Sequence, residues 1–125
     1  MSEASLPNDA TVRVADGPLV APVLTRVVGM LAARAQCPVD RLDDALLVAD
    51  AIAAHAPRRS VDGHVTVRLV AAEDGLELRV LDLEDGGGQG LLADAALPGV
   101  GNVLERIADD VEVEADQLVV RLSFG

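Results

Sequence analysis

The chain has 125 residues, half of them hydrophobic, a formal net charge of −11 and one aromatic residue, Phe124. Those values suit one domain, residues 1–125, built on an aliphatic core. They argue against a nucleic acid partner, because phosphate backbones are held by clustered basic residues and single strands by stacked aromatics. All ten basic residues are Arg, which removes any catalytic or phosphate-binding Lys. Abundant Ala, Val, Asp and Gly beside this Arg usage suggest a high-GC bacterial genome. Cys37 stands alone, so no internal disulfide can form and a cytoplasmic location is expected. Cys37, His55 and His64 are too far apart in sequence for zinc-ligand spacing, and no metal site is expected. Met1 to Asp9 lacks an export pattern. No apolar run approaches the roughly 20 residues of a membrane helix, so no membrane partner is expected.

Val12 and Val14 alternate with polar neighbours over Thr11 to Ala15 and predict a short strand, broken by Asp16-Gly17-Pro18. Val20, Val23, Leu24, Val27, Val28 and Leu31 follow helical spacing, with Pro22 tolerable in the first turn. Cys37-Pro38 closes that helix, and Cys37 reads as a small buried residue. A second helix starts near Val39, with Asp40 and Asp43 at its positive end. It buries Leu42, Ala45, Leu46, Ala49, Ile52 and Ala53, and Pro57 stops it. Arg58-Arg59 then reads as a solvated loop pair.

Val65, Val67 and Leu69 alternate along a strand over His64 to Ala72, and Asp74-Gly75 turns it into a second strand with Leu76, Leu78 and Val80. Asp82 to Gly90 follows as an acidic, glycine-rich loop. Gly101 to Ala108 reads as a third helix carrying Val103, Leu104 and Ile107. Val111 and Val113 begin a strand that turns at Ala115-Asp116 into Leu118, Val120, Leu122 and Phe124. The order β-α-α-β-β-α-β-β predicts an α+β fold, a two-layer α/β sandwich with helices on one face of a mostly antiparallel sheet.

Two segments point to chemistry. Glycines let backbone N–H groups approach phosphates, and a helix start offers free donors with a favourable dipole. Gly86 and Gly88 in the first glycine segment, and Gly99 and Gly101 before the third helix, are therefore candidate phosphate contacts. Asp82 and Asp85 lie at the acidic head of the first glycine segment and are candidate nucleotide contacts. On the second helix Asp43, Leu47, Asp50 and Ala54 form one strip beside the buried face, and Asp50 is the candidate general base for attack on a γ-phosphate.

Leu46 to Ala51, the Asp82 to Gly90 segment and Pro98 to Val111 together resemble the anti-sigma-factor serine kinases of the histidine-kinase-like ATPase superfamily. The inferred element order matches over nearly the whole chain. The resemblance implies that superfamily's sandwich, with an ATP site between the second helix and the glycine segments. In the family the second helix carries a Glu base and, four residues on, an Asn that holds magnesium. Here those positions are Asp50 and Ala54, and Ala has no ligand atom. Matching the family's His-Ala to His55-Ala56 instead puts Leu47 at the base and Ala51 at the metal.

The family's adenine motif has an Asp two residues before one Gly and four before another. From Asp82 those positions hold Glu84 and Gly86; from Asp85 they hold Gly87 and Gln89. No Arg lies between Arg79 and Arg106 to neutralise a triphosphate. The resemblance and its departures together imply a regulatory module that binds a sigma factor or an anti-sigma antagonist, with homodimerisation possible in principle and ATP binding weak or lost. On that reading no cofactor is expected and the chain is not an enzyme. The alternative is an active ATP-dependent serine protein kinase using magnesium, Asp50 as base, Asp82 or Asp85 at adenine and the four glycines at the phosphates.

Overall fold

The computed structural model describes residues 8–125; the polar segment Met1 to Pro7, part of the stretch read as lacking an export signal, lies outside them. The chain forms β1 (Asn8–Ala15), α1 (Val20–Arg34) and α2 (Val39–His55), the last continued by a 3-10 turn over Ala56–Arg59. It goes on through β2 (His64–Ala72), β3 (Gly75–Leu81), α3 (Gly87–Asp94), β4 (Ala96–Leu97), β5 (Gly101–Asn102), α4 (Val103–Ile107), β6 (Asp110–Val113) and β7 (Leu118–Ser123). Five strands make one sheet in the order β1-β2-β3-β7-β6, with each neighbouring pair antiparallel. The fold is α+β, as the alternation of apolar residues predicts.

Register explains the two faces. Val12 pairs with Val67, Val67 with Val80, Leu69 with Leu78, Leu78 with Val120, and Val120 with Val111. Because side chains alternate across a strand, these residues share one face, and they join α1 and α2 in a single core. Helix α1 contributes Val20, Leu24, Val28, Leu31 and Ala32, and α2 contributes Ala45, Val48, Ala49, Ile52 and Ala53. Leu42 and Leu46, expected in the core, are half-buried at its margin, while Val48 takes a central place. The opposite sheet face carries charge: Arg68 pairs with Asp9, Arg79 with Glu77, and Arg121 with Glu77, Asp110 and Glu112.

Two sequence expectations are corrected. The Gly86 to Gly90 stretch is not a loop, since α3 begins at Gly87 and only Gly86, at φ 80°, has left-handed backbone there. Glycine's low helix propensity hides this helix, and tertiary packing overrides it. The predicted third helix is shorter at its start, because Gly101 and Asn102 pair with Leu97 and Ala96 in a two-stranded ladder. Gly99 (φ 76°) and Gly101 (φ 102°) supply the conformations that this ladder's turn requires. Among the described residues no helix is long and apolar enough to cross a membrane.

Candidate functional site

The strip on α2 lies as its spacing predicts. Asp43, Leu47, Asp50 and Ala54 are all exposed, one helical face away from Ala49, Ile52 and Ala53. Asp50 has no ion pair or side-chain hydrogen bond to another described residue. Four residues on, Ala54 presents a methyl group. Helix α2 also packs against α3 and α4.

The acidic segment after β3 is fastened to the 3-10 turn. The Val61 N–H donates to the Asp82 carbonyl at 3.0 Å, the Glu84 N–H to the Arg59 carbonyl at 2.7 Å, and Leu83 bridges to Ser60. Asp82 sits at φ 53° in left-handed backbone that Asp tolerates better than most residues. The side chains of Asp82 and Asp85 are both exposed.

Arg59 organises this region, which corrects its reading as a solvated loop charge. Its Nε and a terminal nitrogen donate to the two carboxylate oxygens of Asp94 at 2.9 and 3.1 Å, and it reaches Glu84 at 3.5 Å. A two-point guanidinium–carboxylate contact fixes orientation as well as distance. The hydrogen bond from Arg59 holds the Asp94 carboxyl below the usual carboxylate range. The guanidinium also lies over Gly90, where a Cβ would stand 2.7 Å from Cζ. No sequence signal links Arg59 to a carboxylate 35 residues away.

The glycines of α3 serve close packing. Gly87 and Gly88 are buried. A Cβ on Gly87 would stand 2.8 Å from the Leu83 Cβ, and one on Gly88 would overlap the carbonyl oxygens of Glu114 and Gln117 in the β6–β7 turn. Their donors are used within the chain: Gly87 N–H to the Glu84 carbonyl, Gly88 N–H to Ala115, and Gly90 N–H to Gly86.

The second glycine segment is closed in the same way. Asn102 caps α4, its Oδ1 accepting from the N–H groups of Leu104 and Glu105 at 3.0 and 3.2 Å. Its Nδ2 donates to the Leu92 carbonyl at 2.7 Å, which ties α4 to α3. The Val103 N–H donates to the Ala95 carbonyl, and Arg106 donates to the Val100 carbonyl at 2.9 Å. Sequence reasoning missed Asn102, although an Asn three residues before Glu105 at the head of an apolar helix is a capping signature.

The structure therefore brings Gly86, Gly88, Gly99 and Gly101 into neighbouring segments, but buries Gly88 and engages the N–H groups of Gly87, Gly88, Gly90, Val103, Leu104 and Glu105 within the chain. At the position where the resemblance places the magnesium ligand Ala54 offers no oxygen, and Arg59 beside α3 is already engaged by Asp94 and Glu84. A cavity of about 380 Å³ lies elsewhere, at the opposite end of β3 from Asp82, and its lining includes Val70, Ala72, Gly75, Arg121 and Ser123. Among the described residues no group of three or more His, Cys, Asp and Glu side chains could hold a metal ion. Cys37 is half-buried and not a core residue, and that burial raises its thiol pKa.

Fold and site define an α+β domain in which two glycine-bearing segments, hydrogen-bonded to each other, lead into or form two short helices that pack on a long helix with exposed Asp43 and Asp50. No family model and no curated protein matches this chain.

Proposed function

We propose that this chain is a domain of the histidine-kinase-like ATPase type that works as an anti-sigma-factor-like regulatory module. It acts by binding a sigma factor or an anti-sigma antagonist, and its capacity for ATP is weak or lost. The observation that carries this reading is the internal use of six backbone donors in the two glycine segments. The N–H groups of Gly87, Gly88, Gly90, Val103, Leu104 and Glu105 all bond within the chain. A phosphate site depends on such groups being free and convergent. Ala54 and the bidentate engagement of Arg59 support the same conclusion. The element order and the Pro98 to Val111 segment supply the link to the anti-sigma family.

The test is binding of the purified protein to the source bacterium's sigma factors and anti-sigma antagonists, with and without MgATP. Saturable binding to one of them, unchanged by nucleotide, is the expected result. Transfer of phosphate to a partner serine would overturn the reading in favour of an active kinase using Asp50. Absence of binding to every sigma factor and antagonist would overturn it in favour of a domain with another partner.

A further inference from the structure

The outer face of the sheet, opposite the helices, carries a group of basic side chains that the nucleotide reading does not use. Side chains alternate across a strand, so Thr66 and Arg68, which alternate with the core residues Val65, Val67 and Leu69, lie on that outer face. Register gathers Arg13 and Arg79 around them. Arg13 pairs with Thr66 across β1 and β2, and Arg68 pairs with Arg79 across β2 and β3. Arg79 is therefore diagonal to Thr66, whose own partner on β3 is Leu81. Directly opposed Cβ atoms stand about 5 Å apart and diagonal neighbours about 7–8 Å, both within reach of a long side chain. Guanidiniums from three strands thus surround one hydroxyl.

Two features of this group have no partner inside the chain to account for them. Arg68 faces Arg79 directly, and like charges opposed across strands destabilise a sheet. Thr66 is only 6% exposed, and its Oγ1 is buried without a hydrogen-bond partner among the described residues, whereas buried polar groups are almost always hydrogen-bonded. Arg13 is exposed and makes no ion pair with another described residue. Arg68 meets Asp9 at 3.0 Å, and Arg79 meets Gln117 at 3.2 Å, Glu77 at 3.5 Å and Glu114 at 3.8 Å. These acceptors all come from sides away from Thr66: Asp9 and Glu77 both pair with Val70, beyond Arg68, and Gln117 and Glu114 lie across β3 in the β6–β7 turn. An oxyanion seated over Thr66 would accept from its hydroxyl and neutralise the facing guanidiniums.

We propose that Thr66, Arg13, Arg68 and Arg79 form an oxyanion site on the outer sheet face, and that it takes one phosphate group, as the free ion or as a phosphate monoester. Donors converging from four positions suit a tetrahedral anion better than a planar carboxylate, and guanidinium forks match phosphate oxygens two at a time. One phosphate is not the polyanion that a net charge of −11 opposes. None of these residues belongs to the nucleotide and sigma-factor reading, so the proposal is independent of it.

The test titrates the full chain with inorganic phosphate in a calorimeter at constant ionic strength, beside Thr66→Val, Arg13→Gln and Arg26→Gln. Arg26 is an exposed arginine of α1, on the other side of the sheet. The native protein is expected to bind one phosphate per chain saturably. Thr66→Val keeps the side chain's shape and removes a hydroxyl that has no partner. Its thermal unfolding, followed by circular dichroism, should match or exceed the native protein's, while its phosphate affinity falls about tenfold. Arg13→Gln should lose about tenfold as well, and it still reports should Thr66→Val fail to fold. Arg26→Gln should bind like the native protein. Glycerol phosphate in a parallel titration separates a monoester from the free ion, and the tighter of the two names the source. No saturable binding by the native protein, or unchanged affinity in Thr66→Val and Arg13→Gln, would overturn the proposal. So would an equal loss in Arg26→Gln, the mark of an adventitious ion only.

Discussion

Replacing Gly88 by Ala distinguishes a glycine kept for packing from one kept for a ligand. The added Cβ would overlap two backbone carbonyl oxygens, those of Glu114 and Gln117, so relief requires the β6–β7 turn to move rather than a side chain to rotate. Overpacking of this kind costs about 1–3 kcal/mol. Moving the turn also strains the bonds it makes, Gly88 N–H to Ala115 at 3.5 Å and Leu83 N–H to Asp116 at 3.1 Å, each contributing about 1 kcal/mol. Against this, Ala in a helix gains about 1 kcal/mol over Gly.

The net expectation is a loss of about 2 kcal/mol, or a Tm lower by about 8 °C for a domain of this size. Gly29 is the internal control. It lies within α1 with nothing within 4 Å of its added Cβ, so Gly29→Ala should raise stability by roughly 0.5–1 kcal/mol. Urea and thermal unfolding followed by circular dichroism measure both, since the chain has no Trp or Tyr. A Gly88→Ala variant as stable as Gly29→Ala would sink the packing explanation and return Gly88 to the candidates for ligand contact.

Two further outcomes follow from the same region. Asn102→Ala removes the cap on α4 and the donor to Leu92, and should cost about 1–2 kcal/mol in urea unfolding; a neutral effect would mean that α4 is held by Leu104 packing alone. Asp94→Asn tests the Arg59 clamp through pH. The folded carboxyl lies below its usual pKa, so its stabilising contribution is present above the unfolded value near 4 and is lost as pH falls through the lower folded value. The native protein should therefore exceed the variant in stability at pH 7 and converge on it in acid. An offset independent of pH would show that the ionised pair is not its source.

Where an apolar stripe decided the structure, the sequence sufficed. The spacing of Val20, Leu24, Val28 and Leu31, and of Ala45, Ala49 and Ile52, places both long helices on the core. Asp74-Gly75 marks the hairpin between β2 and β3. Helix α3 escaped because its first four residues, Gly87 to Gly90, include three glycines, which resemble a loop when only propensity is read. Their reason lies in the close approach of Leu83, Arg59 and the β6–β7 turn, contacts between residues distant in the chain. For the same reason Arg59 read as a surface charge until Asp94 was placed beside it. The exposed strip with Asp50 and Ala54 was legible from helical spacing, whereas the internal use of the glycine-segment donors was not, because hydrogen-bond partners such as Ala115 and Ala95 have no local signature.

Calorimetric titration of the native protein with ATP and ADP, with and without magnesium and with Ala54→Asn in parallel, bears most directly on the proposed loss of nucleotide function. With six donors of the glycine segments engaged internally and no oxygen at position 54, the native protein should give no saturable heat at millimolar nucleotide. Magnesium-dependent binding in the micromolar range by the native protein would contradict that and reinstate the serine kinase.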